Sequence, residues 1–252
     1  MRVGGYGSNP VAESLARRSR VLKILVLWFY PPMPAINIMP EAVISKVRSA
    51  LFRPDTTIVN VGSGKNKGCG RRLWLSANKA DCRVFHMDMF AAPQMDFLAD
   101  AHKLPFADES VDGVILQAVL EHVRNPRQVI SEANRVLRPG GYFYIEMPFL
   151  QGYHADPNDF QRYTLGGLRE RLSEFEEIES GVSAGPFCAL NWILRDGLSS
   201  CFSNPYVSTA SRFFAGWFLS PIRYLDYLLR GNRVATRLAC EYYFLCRKRV
   251  AS

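Results

Sequence analysis

The sequence lacks the residue patterns that build a metal centre or a disulfide framework. Its six cysteines are scattered over 252 residues, with no CxxC pair and no spacing typical of metal ligands. A disulfide-stabilised secreted domain would instead show closely spaced, paired cysteines. We therefore expect reduced thiols in a cytoplasmic protein, and no metal site.

A long apolar run is also missing. No window reaches the roughly 18 consecutive apolar residues that a membrane-spanning helix needs. The apolar run at 21–30 follows several arginines, as the core of a signal peptide would, but it contains Lys23 and is followed by PPMP rather than by small residues. These features argue against secretion.

The familiar glycine loops are absent as complete motifs. The stretch TTIVNVGSGKNKGCG (56–70) has the form of a strand that ends on Gly62 and Gly64. A P-loop needs GxxxxGK[ST], whereas Lys65 follows Gly64 directly, and a dinucleotide loop needs GxGxxG, whereas position 67 is lysine. The stretch therefore predicts a tight turn beneath a nucleotide of another kind.

Acidic residues are scarce outside the middle of the chain. Residues 1–54 carry 8 Lys/Arg against 2 Asp/Glu, residues 55–194 carry 14 against 18, and residues 195–252 carry 9 against 3. Both basic flanks are rich in aromatic and aliphatic residues, as in RRSRVLKILVLWFYPP and SRFFAGWFLSPIRYLDYLLRGNR. Basic charge with apolar residues favours an anionic membrane surface, while basic charge alone equally suits nucleic acid.

Apolar runs alternate with helical patterns along the middle of the chain. The predicted strands are 57–61, 83–89, 95–100, 111–119, 142–148, 175–183 and 237–249, with helices at 40–52, at 125–141 (closed by RPGG) and after Thr164. This alternation predicts an α/β fold with a doubly wound, mostly parallel seven-stranded sheet and a helical insertion before the last strand. We divide the chain into a basic extension with a leading helix (1–54), a core (55–183), and an aromatic helical insertion with the final strand (184–252).

Two carboxylates follow successive predicted strands. Asp88 can accept both hydroxyls of a ribose, and Asp100, beside Ala101, can accept from an adenine amino group. Together with the glycine turn and the segments DAHKLPF, LEHV and RVLRPGG, in this order, they resemble the type 11 group of class I S-adenosylmethionine-dependent methyltransferases. The resemblance covers about 57–170.

The resemblance implies a Rossmann-like fold and S-adenosyl-L-methionine as cofactor. It also implies a role for each matching position. The backbone at Gly62 and Gly64 approaches the methionine moiety; Asp88 holds the ribose with Met89 packed by the adenine; Asp100 and Ala101 hold the adenine edge; Gln117 and Ala118 line the methyl-donor side.

Two departures from the family pattern stand out. Members of the group usually carry an acidic residue two positions before the first glycine, where it binds the amino group of the methionine moiety; this chain has Asn60. A neutral amide can still accept a hydrogen bond but gives up the ion pair. The third glycine is also missing, and the Lys-, Arg- and Gly-rich stretch 65–82 predicts a short or irregular first helix.

A dense polar cluster follows the fifth strand in PFLQGYHADPNDFQRYT. It resembles the H-x-D-P-x-D-[FY]-x-R-[FY]-T segment of methyltransferases that modify glycans, lipid-linked sugars and natural products. The resemblance implies His154 as general base, with its tautomer set by Asp156 or Asp159, and Arg162 and Tyr163 as substrate contacts. In the alternative interpretation an Asp159–Arg162 ion pair merely pins the loop.

These features predict O-methylation of a small or lipid-linked hydroxylated acceptor by a cytoplasmic protein that contacts the membrane through its basic aromatic flanks. Trp192 and Trp217 belong either to a lid over the acceptor or to an interfacial anchor. A nucleic-acid methyltransferase, suggested by a pI near 9.3, is less favoured because no NPPY motif follows the fourth strand. A third hypothesis, prompted by Asn60, is a non-catalytic scaffold. The sequence leaves the oligomeric state open.

Overall fold

The computed structural model describes residues 31–64, 81–91 and 95–250. The stretch 65–80 and the N-terminal basic aromatic run up to residue 30 therefore lie outside the described residues. The strands are β1 Thr57–Val61, β2 Arg83–Asp88, β3 Phe97–Leu98, β4 Val111–Gln117, β5 Leu137–Pro148, β6 Phe175–Ala184 and β7 Glu241–Lys248. The α-helices are α1 Glu41–Leu51, α2 Pro126–Val136, α3 Leu165–Arg171, α4 Pro186–Ser200 and α5 Pro205–Leu219, followed by 3-10 helices at Ser220–Leu229 and Arg233–Leu238.

The described strands form one sheet in the order β3-β2-β1-β4-β5-β7-β6. The pairs from β3 to β5 are parallel, and β7 runs antiparallel to β5. The predicted seven-stranded, mostly parallel sheet is thereby confirmed. In this strand order the chain reverses direction across the sheet between β1 and β4, which is where such folds place their ligands.

The bounds of several strands differ from the prediction; β7, for example, begins at Glu241 and not at 237, since Arg233–Leu238 form a 3-10 helix. β3 is limited to Phe97–Leu98, and just before it the Asp96 side chain accepts the backbone N–H of His86, at 2.8 Å. β5 begins at Leu137, which pairs with Val111, so the RPGG segment lies inside β5 and does not precede it. Gly140 in that segment has a φ of +79°, a conformation that favours glycine.

Local capping explains where α2 and α3 begin. Asn125 caps α2 by accepting the backbone N–H of Gln128 at 3.3 Å, and Pro126 occupies the first turn. Thr164 caps α3 in the same way, with its Oγ1 accepting the N–H of Gly167 at 3.1 Å, which confirms the predicted N-cap.

The chain divides into two units. The sheet unit comprises Met39–Phe149, Gln161–Ser183 and Glu241–Ser252, and the helical unit comprises Met1–Ile38, Leu150–Phe160 and Ala184–Cys240. The final strand therefore returns the chain to the sheet unit after the helical segment.

One hydrophobic cluster of the sheet unit lies between α1 and one face of the sheet. Apolar residues at helical spacing in α1, Ile44, Val47 and Leu51, are almost fully buried. They pack in one cluster with side chains of β1, β4, β5 and β7, namely Ile58, Ile115, Tyr144, Tyr243 and Leu245. The N-terminal part of the described chain thus closes this face of the sheet.

The helical unit is organised around α4. Its residues Cys188, Ala189 and Trp192 form a buried cluster with Ala184 and Cys240. Asp226, fully buried, accepts the backbone N–H groups of Phe187 at 2.9 Å and Cys188 at 2.8 Å, so a carboxylate from the following 3-10 helix satisfies the free donors at the start of α4. Of the helices that the structure describes, none combines the length and the apolar character needed to cross a bilayer.

Candidate functional site

The glycine turn after β1 requires glycine at its first position. Gly62 has a φ of +66°, and a Cβ placed on it would lie 2.4 Å from Cγ2 of Val119. Gly64 also has a positive φ, +57°, but a Cβ there would meet nothing within 4 Å. The turn is anchored between them, where Ser63 donates its backbone N–H to the carbonyl of Met87 at 3.0 Å.

Asp88, at the end of β2, lies against this turn. Its Oδ2 accepts the backbone N–H of Gly64 at 2.8 Å, and its Oδ1 accepts that of Phe90 at 3.0 Å. The carboxylate is therefore held beside the glycine bend at the carboxyl end of the sheet, which is the position predicted for a ribose ligand. Met89 and Phe90 are both about half exposed.

Asp100 is oriented by its own turn. Its Oδ1 accepts the backbone N–H of His102 at 2.9 Å and lies 2.6 Å from His102 Nδ1. His102 Nε2 accepts the N–H of Asn125 at 3.3 Å, so the ring carries its hydrogen on Nδ1 and donates it to Asp100. Desolvation raises the pKa of Asp100, but these hydrogen bonds outweigh it, and the net shift is downward. The neighbouring Ala101 is buried.

Arg135 holds the LPF turn that follows Asp100. Its guanidinium donates to the carbonyls of Leu104 at 3.1 Å and Phe106 at 2.9 Å, and to the carboxylates of Asp108 at 2.7 Å and Glu132 at 2.8 Å. The carboxylates of Glu132 and Asp108 raise the pKa of Arg135 above its ordinary value. The arginine of RVLRPGG thus positions the turn that presents Asp100 and Ala101.

Asn60 makes a contact inside the core. It is almost fully buried, and its Nδ2 lies 3.1 Å from Nδ1 of His86, the residue beside it on β2. Because the amide nitrogen can only donate, the Nδ1 of His86 accepts. The amide at the position where the family carries an acid is therefore engaged with a neutral imidazole.

Gln117 and Ala118 are positioned by β5. Ala118 has a φ of +52° and donates its N–H to the carbonyl of Glu146 at 3.1 Å. Gln117 is buried and pairs in register with Glu146. Burial raises the pKa of Glu146, and the nearby Gln117 amide only partly opposes that rise; neither amide atom completes a hydrogen bond within the described residues.

Glu146 is a buried acid that the sequence did not reveal, and it interacts with two further acids, Glu121 and the partly buried Glu241. Burial raises its pKa, against the opposing effect of the Tyr144 hydroxyl, which donates to Oε1 at 2.5 Å. The pKa of Glu241 lies well above its ordinary value, first because of desolvation and then because of repulsion from Glu146 and Glu121. The signal that could have revealed this group is an acid inside an otherwise apolar strand, as in YIEMP.

His154 has a defined tautomer. Its Nδ1 lies 2.9 Å from the carbonyl of Gly152, and because a carbonyl can only accept, Nδ1 carries the hydrogen and Nε2 the lone pair of the neutral ring. The predicted role of a carboxylate in setting the tautomer is therefore wrong. Asp159, whose side chain is 3% exposed, accepts the backbone N–H of His154 at 2.8 Å, while its Oδ2 lies 3.8 Å from Nδ1.

The other predicted loop residues have separate surroundings. Asp156 is exposed and precedes Pro157 through a cis peptide bond. Arg162 and Tyr163 belong to the sheet unit. There Arg162 donates to the carbonyl of Gln161 at 2.9 Å, and the Tyr163 hydroxyl lies 3.4 Å from the Gln161 side chain.

Comparison with known proteins is consistent with this geometry. Residues 66–145 match the model of the methyltransferase domain family Methyltransf_11. The ubiquinone/menaquinone biosynthesis C-methyltransferase UbiE of Bartonella bacilliformis is 34% identical over 100 residues, 31% of this chain and 38% of that protein. The demethylmenaquinone methyltransferase of Renibacterium salmoninarum is 46% identical over 84 residues, 33% of this chain and 30% of that protein.

The chain thus spans about a third of the length of these curated relatives. Among solved structures, the 1,6-didemethyltoxoflavin-N1-methyltransferase of Burkholderia thailandensis, with bound S-adenosylhomocysteine, superposes with a TM-score of 0.51 at 14% identity, covering 96% of this chain and 92% of that one. At this identity the likeness concerns the fold alone. Residues 66–145 thus match the type 11 methyltransferase domain family, and the fold around them is that of solved S-adenosylmethionine-dependent methyltransferases.

Proposed function

We propose that this protein binds S-adenosyl-L-methionine in its sheet unit and transfers the methyl group to an oxygen of a small or lipid-linked hydroxylated acceptor, such as a sugar, glycan or natural product. The observation that carries the proposal is the Asp88 carboxylate, 2.8 Å from the Gly64 amide at the glycine bend. A carboxylate beside a backbone turn at the carboxyl ends of parallel strands suits a ribose diol with the rest of the nucleoside above the turn.

The proposed cofactor residues follow from this placement. Asp100 and Ala101 hold the adenine edge, with Met89 against its face, and the backbone at Gly62 and Gly64 admits the methionine moiety. Gln117 and Ala118 line the methyl-donor side, where Glu146 fixes the backbone of Ala118. Asn60 is assigned to the cofactor site only through the family pattern, and its contact with His86 favours an indirect role, through the position of β1.

The proposed reaction is an in-line displacement at the methyl carbon. An oxygen–carbon bond forms as the carbon–sulfur bond of the sulfonium breaks, leaving S-adenosylhomocysteine, while the proton of the hydroxyl passes to a base. We assign this base to His154, because the hydrogen bond of Nδ1 to Gly152 leaves the basic lone pair on Nε2. Asp159 orients the backbone of His154, and Asp156, Arg162 and Tyr163 are the proposed acceptor contacts.

C-methylation of a quinone precursor is a second candidate. It is favoured by the relatives named above and by the 2-phytyl-1,4-naphtoquinone methyltransferase of Synechocystis, 32% identical over 100 residues, 40% of each chain. A ring carbon next to a phenol becomes nucleophilic when the phenol loses its proton, so the same base would serve. For either candidate we propose a cytoplasmic protein, and a lipid-linked acceptor would require access to the membrane surface.

To test the proposed function, the protein is incubated with methyl-labelled cofactor and either a lipid extract or an aqueous extract. We expect label in one hydroxylated component of the lipid extract. Cleavage of the product by boron tribromide distinguishes the candidates, since it removes an O-methyl group and leaves a C-methyl group in place. Label in added transfer RNA, with binding that weakens steeply as salt rises, would contradict both candidates.

A further inference from the structure

The helical unit exposes large apolar side chains around one groove. The groove, which we call the aromatic groove, has a volume of about 630 Å³ and is lined by Leu198, Phe202, Ser211, Phe214, Ala215, Trp217 and Phe218. Phe218 is 88% exposed, Phe214 69% and Trp217 45%. Exposed apolar side chains that converge on one groove mark an interaction site more often than a scattered set does.

The apolar surface continues beyond the groove. The 3-10 helix Ser220–Leu229 packs against both α4 and α5. It exposes Tyr224, Leu225 and Leu228, the last of them to 81%. The aromatic groove and this 3-10 helix together form what we call the docking face.

The exposed charged side chains between positions 197 and 240 are all basic. Between positions 197 and 240 the only acidic residue is Asp226. It is fully buried, where it caps α4. Arg230, Arg233 and Arg237 are exposed. Arg230 also lies over the ring of Tyr227, with 4.4 Å from the guanidinium carbon to the ring centroid. The exposed charge of this segment is therefore entirely positive.

We propose that the docking face binds a membrane surface rich in anionic phospholipid. Aromatic side chains partition to the boundary between headgroups and acyl chains, and arginines near them bind the phosphate groups. This inference rests on the proposed function in one respect: a lipid-linked acceptor would be reached from such a surface.

The same charges argue against a second copy of the chain as the occupant. A symmetric dimer through the docking face would bring together two copies of a segment whose exposed charges are all positive, with no exposed acid between positions 197 and 240 to compensate. Like charges facing each other across an interface oppose association. An anionic bilayer satisfies both the apolar and the basic parts of the face.

Co-sedimentation of the full chain with vesicles tests the proposal, without cofactor or acceptor. One set of vesicles contains roughly three parts phosphatidylcholine to one part phosphatidylglycerol. The other set, which is neutral, contains phosphatidylcholine alone. We expect binding to the mixed vesicles and at least about tenfold weaker binding to the neutral ones. The variants Phe214→Ser and Phe218→Ser should each weaken binding by about tenfold or more, since each removes a large apolar anchor. Val250→Ser, a similarly exposed apolar position in the sheet unit, is the matched control.

Trp217 supplies a second readout. Lipids brominated on the acyl chains should quench part of the tryptophan fluorescence of the wild type, and Trp217→Phe should remove that part. A wild-type protein that stays in the supernatant, or serine variants that bind as well as the wild type, would overturn the proposal. So would a dimer in sedimentation velocity that Phe218→Ser dissociates, because it would assign the face to a second copy.

Calorimetry with S-adenosylhomocysteine on the same preparations separates this proposal from the proposed function. Intact cofactor binding with no vesicle binding would remove the docking face alone. Vesicle binding without cofactor binding would remove the proposed function and leave the docking face supported.

Discussion

The sheet unit and the helical unit both bury polar groups but differ in the surface that each presents. The sheet unit buries polar groups and hydrogen-bonds them, as in Asn60 with His86 and Tyr144 with Glu146. The helical unit buries Asp226 but exposes the aromatic groove. The sheet unit holds the Asp88 carboxylate at the end of β2, where a polar ligand can reach it, whereas an exposed cluster of aromatic side chains suits a docking surface. The family match, 66–145, falls wholly within the sheet unit.

The largest expected effect is a loss of methyl transfer without a loss of cofactor binding. His154→Ala should lower turnover by about 10²–10⁴-fold, the usual contribution of a general base, and leave affinity for S-adenosylhomocysteine unchanged. The measurement is label transfer to the lipid extract over a pH series, with Tyr153→Phe, the exposed neighbour, as control. Wild-type turnover at every pH would show that His154 does not act as the base.

The glycine turn should be the most sensitive point of the sheet unit. Gly62→Ala combines a left-handed backbone with a clash against Val119, and should reduce the free energy of unfolding by about 2–4 kcal/mol. Gly64→Ala has the same backbone strain without the clash and should cost about 1–2 kcal/mol. Urea unfolding measures both, and equal costs for the two variants would contradict the tight packing at Gly62.

The helical unit should depend on one buried carboxylate. Asp226→Ala leaves the N–H groups of Phe187 and Cys188 without their acceptor, and should destabilise the start of α4 by about 1–2 kcal/mol. Limited proteolysis should then cut the helical unit first. Asp196→Ala, which removes a partly exposed ion pair with Arg212, is the matched control and should cost less. A larger loss in the control would contradict the capping role.

Glu146 and Glu241 of the sheet unit should make the free energy of unfolding fall as pH rises. Their ordinary pKa is 4.5, and in the folded protein the pKa of Glu241 lies well above that and the pKa of Glu146 is also raised. As pH rises past 4.5, the unfolded chain releases these protons while the folded protein retains them up to the raised pKa, so stability is lost across that window.

Glu241→Gln removes one of these titrations. The variant should therefore melt about 2–4 °C above the wild type at the alkaline side of the window, and differ little below its acid end. Thermal melts over a pH series test this, and Glu174→Gln, at an exposed glutamate, controls for the loss of one negative charge. A melting temperature that rises with pH equally in wild type and variant would contradict the account.

The sequence predicted much of the sheet unit because its signals are local. β1 was predicted at its observed bounds, since a buried parallel strand is a nearly continuous apolar run, and Asp88 was placed at the end of β2. The start of β5 was missed, because Leu137 becomes part of a strand only by pairing with the distant Val111.

The other features that the sequence did not predict depend on contacts that the residue pattern does not show. Asp226 caps a helix that begins some 40 residues earlier, and the partner of the His154 ring is a backbone carbonyl, which has no residue type to recognise. The Glu146–Tyr144 pair requires knowledge that the two side chains share one face of β5 and are both buried. Each of these contacts becomes visible only once the fold is known.

Titration calorimetry with S-adenosylhomocysteine tests the central claim most directly. The account predicts that the wild-type chain binds this product and that Asp88→Ala binds it about 10–100-fold more weakly, as expected when a charged hydrogen-bond acceptor is lost. Asp81→Ala, which removes an exposed carboxylate just before β2, should bind as the wild type does. A wild-type protein that gives no binding heat, or an Asp88 variant with unchanged affinity, would contradict the claim that Asp88 holds the ribose of an adenosine at the glycine bend.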